Sequence, residues 1–164
     1  MTRPPSAELS VGCVQQVSGL PVAISTRTIP KEELLLLTPL LEWLWRTRRL
    51  QGGTRLAYEL SWLGRRVDLA TITKTRRTAA FELKVSHITR ALEQAIYNRV
   101  VFDRSYVVTA AQPRAASLSE AKAHGVGIIW VVGSEVKLLV SSPYSRADQR
   151  WRGRLMNALE ATES

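Results

Sequence analysis

The chain of 164 residues has a single cysteine, Cys13, so no internal disulfide can form and a reducing compartment, the cytoplasm, is the expected location. No apolar run approaches the roughly 18 residues that a membrane-spanning helix needs, so we expect no contact with a membrane interior. Internal repeats and low-complexity segments are missing as well. These absences favour one globular protein, and a chain of this length buries enough surface to fold without disulfides.

Several catalytic motifs are also missing. His87 and His124 are the only histidines, and no cysteine or histidine stands at the spacing of zinc ligands, so no zinc site is expected. The sequence contains neither the GxxxxGK[ST] loop that cradles nucleotide phosphates nor the GxSxG turn that exposes a nucleophilic serine. For His87 we favour a place at a helix terminus over a part in catalysis.

Acidic residues are few compared with basic ones. The 14 Asp and Glu residues face 23 Lys and Arg, which gives a formal net charge of +9 and a pI ≈ 10.4. Such an excess is the electrostatic pattern expected of a protein that binds phosphate backbones. DNA is therefore the expected partner and RNA the alternative. The competing interpretation is an ordinary protein whose surplus arginine only keeps its surface solvated.

Apolar periodicity and turn signals predict an α/β protein. Residues 1–29 begin with proline and serine and contain two weakly apolar runs, which we expect to form an N-terminal arm or a small hairpin. A single domain, 30–164, follows. Its predicted elements are a helix from Pro30 to Gly52-Gly53, strands at 55–62, 66–73 and 78–85, a helix at 87–102, a strand at 105–110, a helix at 114–124, strands at 126–132 and 135–140, and a basic helix within 145–162. The strand–helix–strand order predicts parallel pairing beside an antiparallel meander, and thus a mixed central sheet flanked by helices.

Two predicted hairpins bring acidic residues together. If a tight turn at Leu63-Gly64 joins the first two strands of the meander, Glu59 lies opposite Asp68. If the basic turn around Thr75 joins the next two, Asp68 lies opposite Glu82. Directly opposed residues of an antiparallel pair point to the same face of the sheet. The registers therefore predict a row of three carboxylates across three strands.

Lys84 shares the face of Glu82 because side chains alternate along a strand, whereas Phe81, Leu83 and Val85 are expected in the core. Like charges opposite one another destabilise a sheet. A hard cation such as Mg²⁺ would offset that repulsion, because carboxylate oxygens are its preferred ligands. Glu42 on the first predicted helix is a further acid that could approach this site, but we favour a solvated position for it.

The helix after the third strand carries a polar face. Arg90, Gln94 and Tyr97 stand at helical spacing and share one side of it. Ser86 is the expected N-cap.

Together these residues resemble a known family. Asp68, thirteen intervening residues and then Glu82-Leu83-Lys84 are similar to the D…(D/E)-x-K signature of the PD-(D/E)xK phosphodiesterases, the restriction-endonuclease-like superfamily. The element order over residues 31–110 resembles the αβββαβ core of that family. Gln94 and Tyr97 resemble the Q-x-x-x-Y helix motif of its RecB-type subset, with one residue fewer between them. Val67 stands where the family often has proline.

The resemblance implies a Mg²⁺-dependent endonuclease or exonuclease that hydrolyses phosphodiester bonds in DNA, with Mn²⁺ as a substitute ion. Asp68, Glu82 and the main-chain carbonyl of Leu83 would bind the ion, and Glu59 would add a carboxylate if the register holds. Lys84 would orient or deprotonate the attacking water, or neutralise charge in the transition state.

The resemblance also implies residues that hold the substrate. Gln94 and Tyr97 would position the phosphate or a base near the ion. Basic residues in or beside the two turns and on the helix would bind the nucleic-acid backbone without reading its sequence; they are Arg65, Arg66, Lys74, Arg76, Arg77 and Arg90.

Two other functions compete with the nuclease. One is a catalytically inactive nucleic-acid-binding module on the same fold, and the other is an interaction domain whose charge is incidental. Cutting both strands of a duplex needs two sites, so a homodimer is compatible with the nuclease. For the basic segment 145–162, contact with phosphates and simple solvation are equally favoured.

Overall fold

The computed structural model describes residues 10–16, 19, 31–62 and 65–162. The predicted turn at Leu63-Gly64 and the apolar run at 20–24 lie outside these residues. In chain order the elements are β1 (Ser10–Gln16), α1 (Lys31–Arg46), β2 (Arg55–Trp62), β3 (Arg65–Ile72), β4 (Thr78–Lys84), α2 (Ile88–Asn98), β5 (Arg104–Thr109), α3 (Ala115–Ala123), β6 (Gly127–Val132), β7 (Glu135–Val140) and α4 (Gln149–Thr162). Within the described part of the chain, no helix is both long and apolar enough to cross a membrane.

The seven strands form one mixed sheet whose spatial order follows the chain from β1 to β7. Strands β1 to β4 pair antiparallel, β5 pairs parallel with both β4 and β6, and β7 returns antiparallel to β6. The α/β class and the mixed central sheet are therefore confirmed.

The N-terminal region differs from the prediction. Residues Ser10–Gln16 form an edge strand of the main sheet, where β1 pairs with β2, instead of a separate arm or small hairpin. An unpaired β2 would present a row of free backbone groups, and β1 satisfies them. The expected boundary at 29/30 consequently does not separate this strand from the rest of the domain.

Helices cover both faces of the sheet. The apolar side of α1, with Leu37, Leu41 and Leu44, packs on one face together with Phe81 and Leu83 of β4. On the other face α2 and α3 pack on β5 and β6, and α4 packs on β2 and β3. Phe81 and Leu83 thus occupy the core as predicted, and the sheet is held rigidly between two layers.

Asp103 fastens α4 to the sheet. Its buried carboxylate accepts hydrogen bonds from the backbone amides of Thr78 (2.8 Å) and Ala147 (2.9 Å), and it forms an ion pair with Arg152. Arg152 therefore has a structural partner. Arg154 stacks on Trp151 with 5.1 Å from its Cζ to the ring centroid.

Candidate active site

The strand registers bring the predicted acidic row together. In the β2–β3 register Glu59 lies opposite Asp68, because the pairs on either side of them are in register. The β3–β4 pairing stops at Leu69 and Phe81, and the next residues along it are Asp68 and Glu82. There the backbone ladder stops, and Asp68 Oδ2 accepts a 2.8 Å hydrogen bond from the Leu83 amide. An extended residue directs its N–H and its C=O toward the same neighbouring strand, so the Leu83 carbonyl faces β3 as well.

A local irregularity in β2 and β3 positions these acids. Leu69 packs in the core beneath α1, but Val67, two residues earlier, packs on the opposite face of the sheet. Residues two apart on a regular strand share a face, so alternation breaks at Asp68. The residue at the same level of β2, Glu59, has φ +56°, a left-handed conformation, while the pairing stays one-to-one on both sides of it. The two irregularities turn both carboxylates toward one edge.

The tightest acidic cluster contains a residue that the sequence did not indicate. Glu33, from the first turn of α1, joins Glu59 and Asp68, and one carboxylate oxygen of each lies within 4.8 Å of the others. Arg66 partly neutralises the cluster. Its Nη1 lies 2.9 Å from Glu59 Oε2, and its Nη2 lies 3.8 Å from Asp68 Oδ1.

Glu82 lies behind Asp68, deep in the protein, with 2% of its surface exposed. The Asn98 side-chain amide donates a 2.8 Å hydrogen bond to Glu82 Oε1. Burial and the neighbouring Asp68 carboxylate raise the pKa of Glu82 to about 9, so Glu82 keeps its proton at neutral pH and donates a hydrogen bond to the Asp68 carboxylate. Burial also raises the pKa of Asp68, although the Leu83 amide and the charge of Arg66 oppose that shift.

The pKa values of Glu33 and Glu59 are also raised. Burial, followed by the charge of Asp68, raises the pKa of Glu33 to about 7. Burial raises the pKa of Glu59 against the opposing charge of Arg66. Glu33 Oε2 is buried and has no hydrogen-bond partner among the described residues. An orphaned buried oxygen within a cluster of hard oxygen donors fits a divalent cation such as Mg²⁺.

Glu33, Asp68 and Glu82 line a cleft of about 200 Å³, and Glu59 adjoins it through its ion pair with Arg66. Arg90 and Gln94 of α2 form its other wall, and Lys84 is exposed at its edge. The charge of Lys84 lowers the pKa of Asp68 and of Glu33 against the larger effect of burial. The cleft thus combines carboxylates that can bind a cation with basic groups that can bind an anion.

Some predicted residues lie elsewhere. Tyr97 does not line the cleft, and its ring stacks under Arg65, whose Cζ is 3.7 Å from the ring centroid. Lys74, Arg76 and Arg77 lie in or beside the β3–β4 turn, at the opposite end of β4 from Lys84. The six residue steps along β4 correspond to roughly 20 Å at about 3.3 Å per residue. These three side chains therefore do not contribute to the carboxylate cleft.

Asn98 is a second site residue that the sequence analysis missed. It stands four residues after Gln94, where the Q-x-x-x-Y pattern has its tyrosine, and this spacing was a usable signal. The helix start was also assigned wrongly. His87, with φ +56° and no side-chain cap bond, is the N-cap residue instead of Ser86, so the expected helix-terminal place of His87 is confirmed. Glu42 is exposed, as favoured.

Comparison with known proteins supports the fold. No protein-family model matches the chain, and no curated protein matches it. The solved SPO1766 protein of unknown function from Silicibacter pomeroyi is similar, with a TM-score of 0.62 and 15% sequence identity, over 82% of this chain and 88% of that chain. This similarity indicates a shared mixed α/β architecture.

Proposed function

We propose that the protein is a Mg²⁺-dependent nuclease of the PD-(D/E)xK type that hydrolyses phosphodiester bonds in DNA. The observation that carries the proposal is the convergence of Asp68, Glu82 and Lys84 in one cleft. The order α1–β2–β3–β4–α2–β5 resembles the αβββαβ core, and the net charge of +9 suits a nucleic-acid partner. Mn²⁺ as a substitute ion, a cytoplasmic location and a homodimer belong to the same proposal.

Carboxylate oxygens of Asp68, Glu59 and Glu33, with the Leu83 carbonyl, would hold the ion, and ionised Glu82 would complete the donor set. A bound divalent ion supplies Lewis-acid polarisation of the phosphate and lowers the pKa of a bound water. The raised carboxyl pKa values mean that the cleft must lose protons before it can hold the ion. The hydrogen bond from Asn98 favours the ionised form of Glu82 and therefore assists this step.

The basic residues of the cleft would bind the substrate phosphate and assist its hydrolysis. Lys84 carries a compact ammonium beside the carboxylates, where it would orient the attacking water or neutralise charge on the phosphate. Arg90 and Gln94 would hold a non-bridging phosphate oxygen from the helix side. Arg65, which stacks on Tyr97, would contact the nucleic-acid backbone next to the scissile bond.

The experiment that tests the proposal is a cleavage panel of linear duplex, single-stranded DNA, branched DNA and RNA with Mg²⁺, Mn²⁺ or Ca²⁺. Asp68→Asn and Glu82→Gln keep side-chain size, so the fold should persist. Each removes a carboxylate that would bind the ion, so the cleavage rate should fall on the order of 100-fold. Glu42→Gln removes an exposed acid from α1 and should cleave as the wild type does. Wild-type activity in both cleft variants would refute the assignment.

Arg66 favours one alternative. Its guanidinium already serves as a cation for Glu59 and Asp68, an arrangement that suits an inactive nucleic-acid-binding module in which no ion is needed. Salt-sensitive binding of DNA or RNA, without turnover on any substrate or ion of the panel, would support that module. Binding that does not respond to ionic strength would instead favour an interaction domain with incidental charge.

A further inference from the structure

A second basic surface lies at the end of β3 and β4 away from the carboxylate cleft. A cavity of about 270 Å³ opens there between the end of α1, the β3–β4 turn and the start of β5. Two further cavities adjoin it along the turn. We call this surface the basic end and define it by six of the basic residues that line the three cavities, Arg48, Arg49, Lys74, Arg76, Arg77 and Arg104; Arg55 also lines one of them.

The six side chains that define the basic end have no acidic partner among the described residues. Asp103 is the one acid that lines the three cavities, and it is fully buried. Its carboxylate is already bonded to Arg152 and two backbone amides. Clustered like charges without internal counter-ions are expected to bind an external anion.

Backbone conformation gives an independent indication. Arg48, just after α1, has φ +58°, and Arg76, in the β3–β4 turn, has φ +62°. Glycine adopts this left-handed conformation without strain, whereas a side chain with a Cβ is disfavoured there. Both positions are usual glycine sites, one after a helix end and one in a hairpin turn. The backbone therefore does not favour arginine at either position.

Neighbouring groups hold several of these side chains in place. Arg77 lies over Tyr144 and Arg49 lies over Trp43, with 5.0 Å and 4.7 Å from Cζ to the ring centroid. The stem of Lys74 crosses Gly53 so closely that a Cβ there would come within 1.9 Å of Lys74 Cε. Guanidinium groups fixed against aromatic rings are well suited to bidentate contact with phosphate.

We infer that the basic end binds the phosphate backbone of a nucleic-acid strand, at a surface separate from the carboxylate cleft. Three adjoining cavities with several cations suit consecutive phosphates better than one free phosphate ester. The inference does not rest on the nuclease proposal, because no acid or metal of the cleft takes part. If both hold, the strand would be gripped roughly 20 Å from the cleft, measured along β4.

The test is the affinity of a fluorescently labelled 20-nucleotide DNA strand, measured in EDTA at several salt concentrations. Arg77→Ala combined with Arg104→Ala should weaken binding at least about 10-fold and flatten the plot of log affinity against log salt by about 1.4, the value for two lost contacts to a single strand. The matched control removes two exposed lysines from α3 and β7, Lys122→Ala with Lys137→Ala, and should change affinity less than about 2-fold.

A second variant excludes misfolding as the cause. Arg48→Gly combined with Arg76→Gly suits the backbone, so its melting temperature should stay equal to or above that of the wild type while its affinity falls. Because EDTA removes divalent ions, the measured affinity is independent of cleavage. Equal losses in the arginine and lysine pairs would overturn the inference. Equally tight binding of inorganic phosphate or a mononucleotide would also overturn it, because the ligand would then be a single phosphate group and not a strand.

Discussion

Asn98 donates a 2.8 Å hydrogen bond to Glu82 Oε1 and so links α2 to the deepest carboxylate of the cleft. This bond lowers the pKa of Glu82. Burial and the charge of Asp68 raise that pKa by more, so the net shift is upward. A partner that hydrogen-bonds a metal ligand fixes both its orientation and its charge state. Asn98 is therefore expected to control how readily the cleft becomes ionised.

Replacing Asn98 by Ala should weaken Mg²⁺ binding at pH 7 by about 10-fold and move the pH midpoint of metal affinity upward. Without the amide, ionised Glu82 would be buried with no donor, so its proton would be harder to remove. Titrations with Mg²⁺ between pH 6 and 9 measure both effects. Asn157→Ala, on the exposed side of α4, is the control and should match the wild type. An unchanged affinity profile in Asn98→Ala would show that the bond has no such effect.

The metal-free protein should become less stable as the pH rises from 5 to 9. Glutamates of the unfolded chain titrate near 4.5, whereas the folded pKa is about 7 for Glu33 and about 9 for Glu82. The folded state therefore holds protons that the unfolded state has lost, and this stabilisation is complete below pH 4.5 and is lost as the pH rises through 7 and then 9. The expected loss is on the order of 1 kcal/mol per pH unit near pH 8.

Chemical denaturation across this pH range measures that slope. Glu82→Gln should flatten the curve and be more stable than the wild type at pH 8, because Glu82 must take up a proton on folding at that pH and the neutral amide does not. Glu42→Gln, which alters an exposed glutamate of the same protein, should leave the slope unchanged. A wild-type stability that increases between pH 6 and 8 would contradict the pKa assignment of the cleft.

Removal of Arg66 should make the thermal stability of the protein depend more strongly on a divalent ion. Its guanidinium opposes the raised pKa values of Glu59 and Asp68, and Arg66→Ala deletes that counter-charge. A bound cation would take its place, so Mg²⁺ should raise the melting temperature of Arg66→Ala more than that of the wild type. Arg46→Ala, at the other end of α1, should show the wild-type shift. Equal shifts in the wild type and in Arg66→Ala would mean that ion and guanidinium do not share a position.

The Asp103–Arg152 pair should be a major contributor to stability. Its carboxylate is 1% and its guanidinium 14% exposed, so Arg152→Ala leaves a buried charge short of its partner. Loss of one member of such a pair typically costs about 3–5 kcal/mol. Arg154→Ala, two residues further along α4, removes an exposed arginine that stacks on Trp151 and should cost no more than about 1 kcal/mol. Equal unfolding free energies for the two variants, measured in urea, would contradict the role of Asp103.

The sequence predicted the centre of the site because local rules governed it. Two turn signals defined both hairpin registers, and the registers alone aligned Glu59, Asp68 and Glu82. The parallel pairing of β5 followed from the strand–helix–strand order, and the apolar face of β4 followed from period-two alternation. The alternation of side chains between the two faces is interrupted at Asp68, and the sequence did not predict this. Nothing in the sequence marks the left-handed residue Glu59 that lies opposite.

The missed residues depend on contacts between distant segments. Glu33 reaches the cleft because α1 docks on the sheet with its first turn at that end, which no local pattern specifies. Asp103 likewise gains its partners from α4, far along the chain. The turn residues Lys74, Arg76 and Arg77 lie at the opposite end of β4 from the cleft, a separation that strand length determines and charge pattern does not. Asn98 is the exception, since its spacing from Gln94 was visible in the sequence.

The most direct test of the central claim is an isothermal titration of Mg²⁺ into the metal-free protein at pH 7. The account predicts saturable binding with release of protons, because carboxyl groups of raised pKa must ionise to hold the ion. Binding should be lost in Asp68→Asn and kept in Glu42→Gln. No saturable heat in the wild type, or equal binding in the wild type and in Asp68→Asn, would contradict a metal site in this cleft.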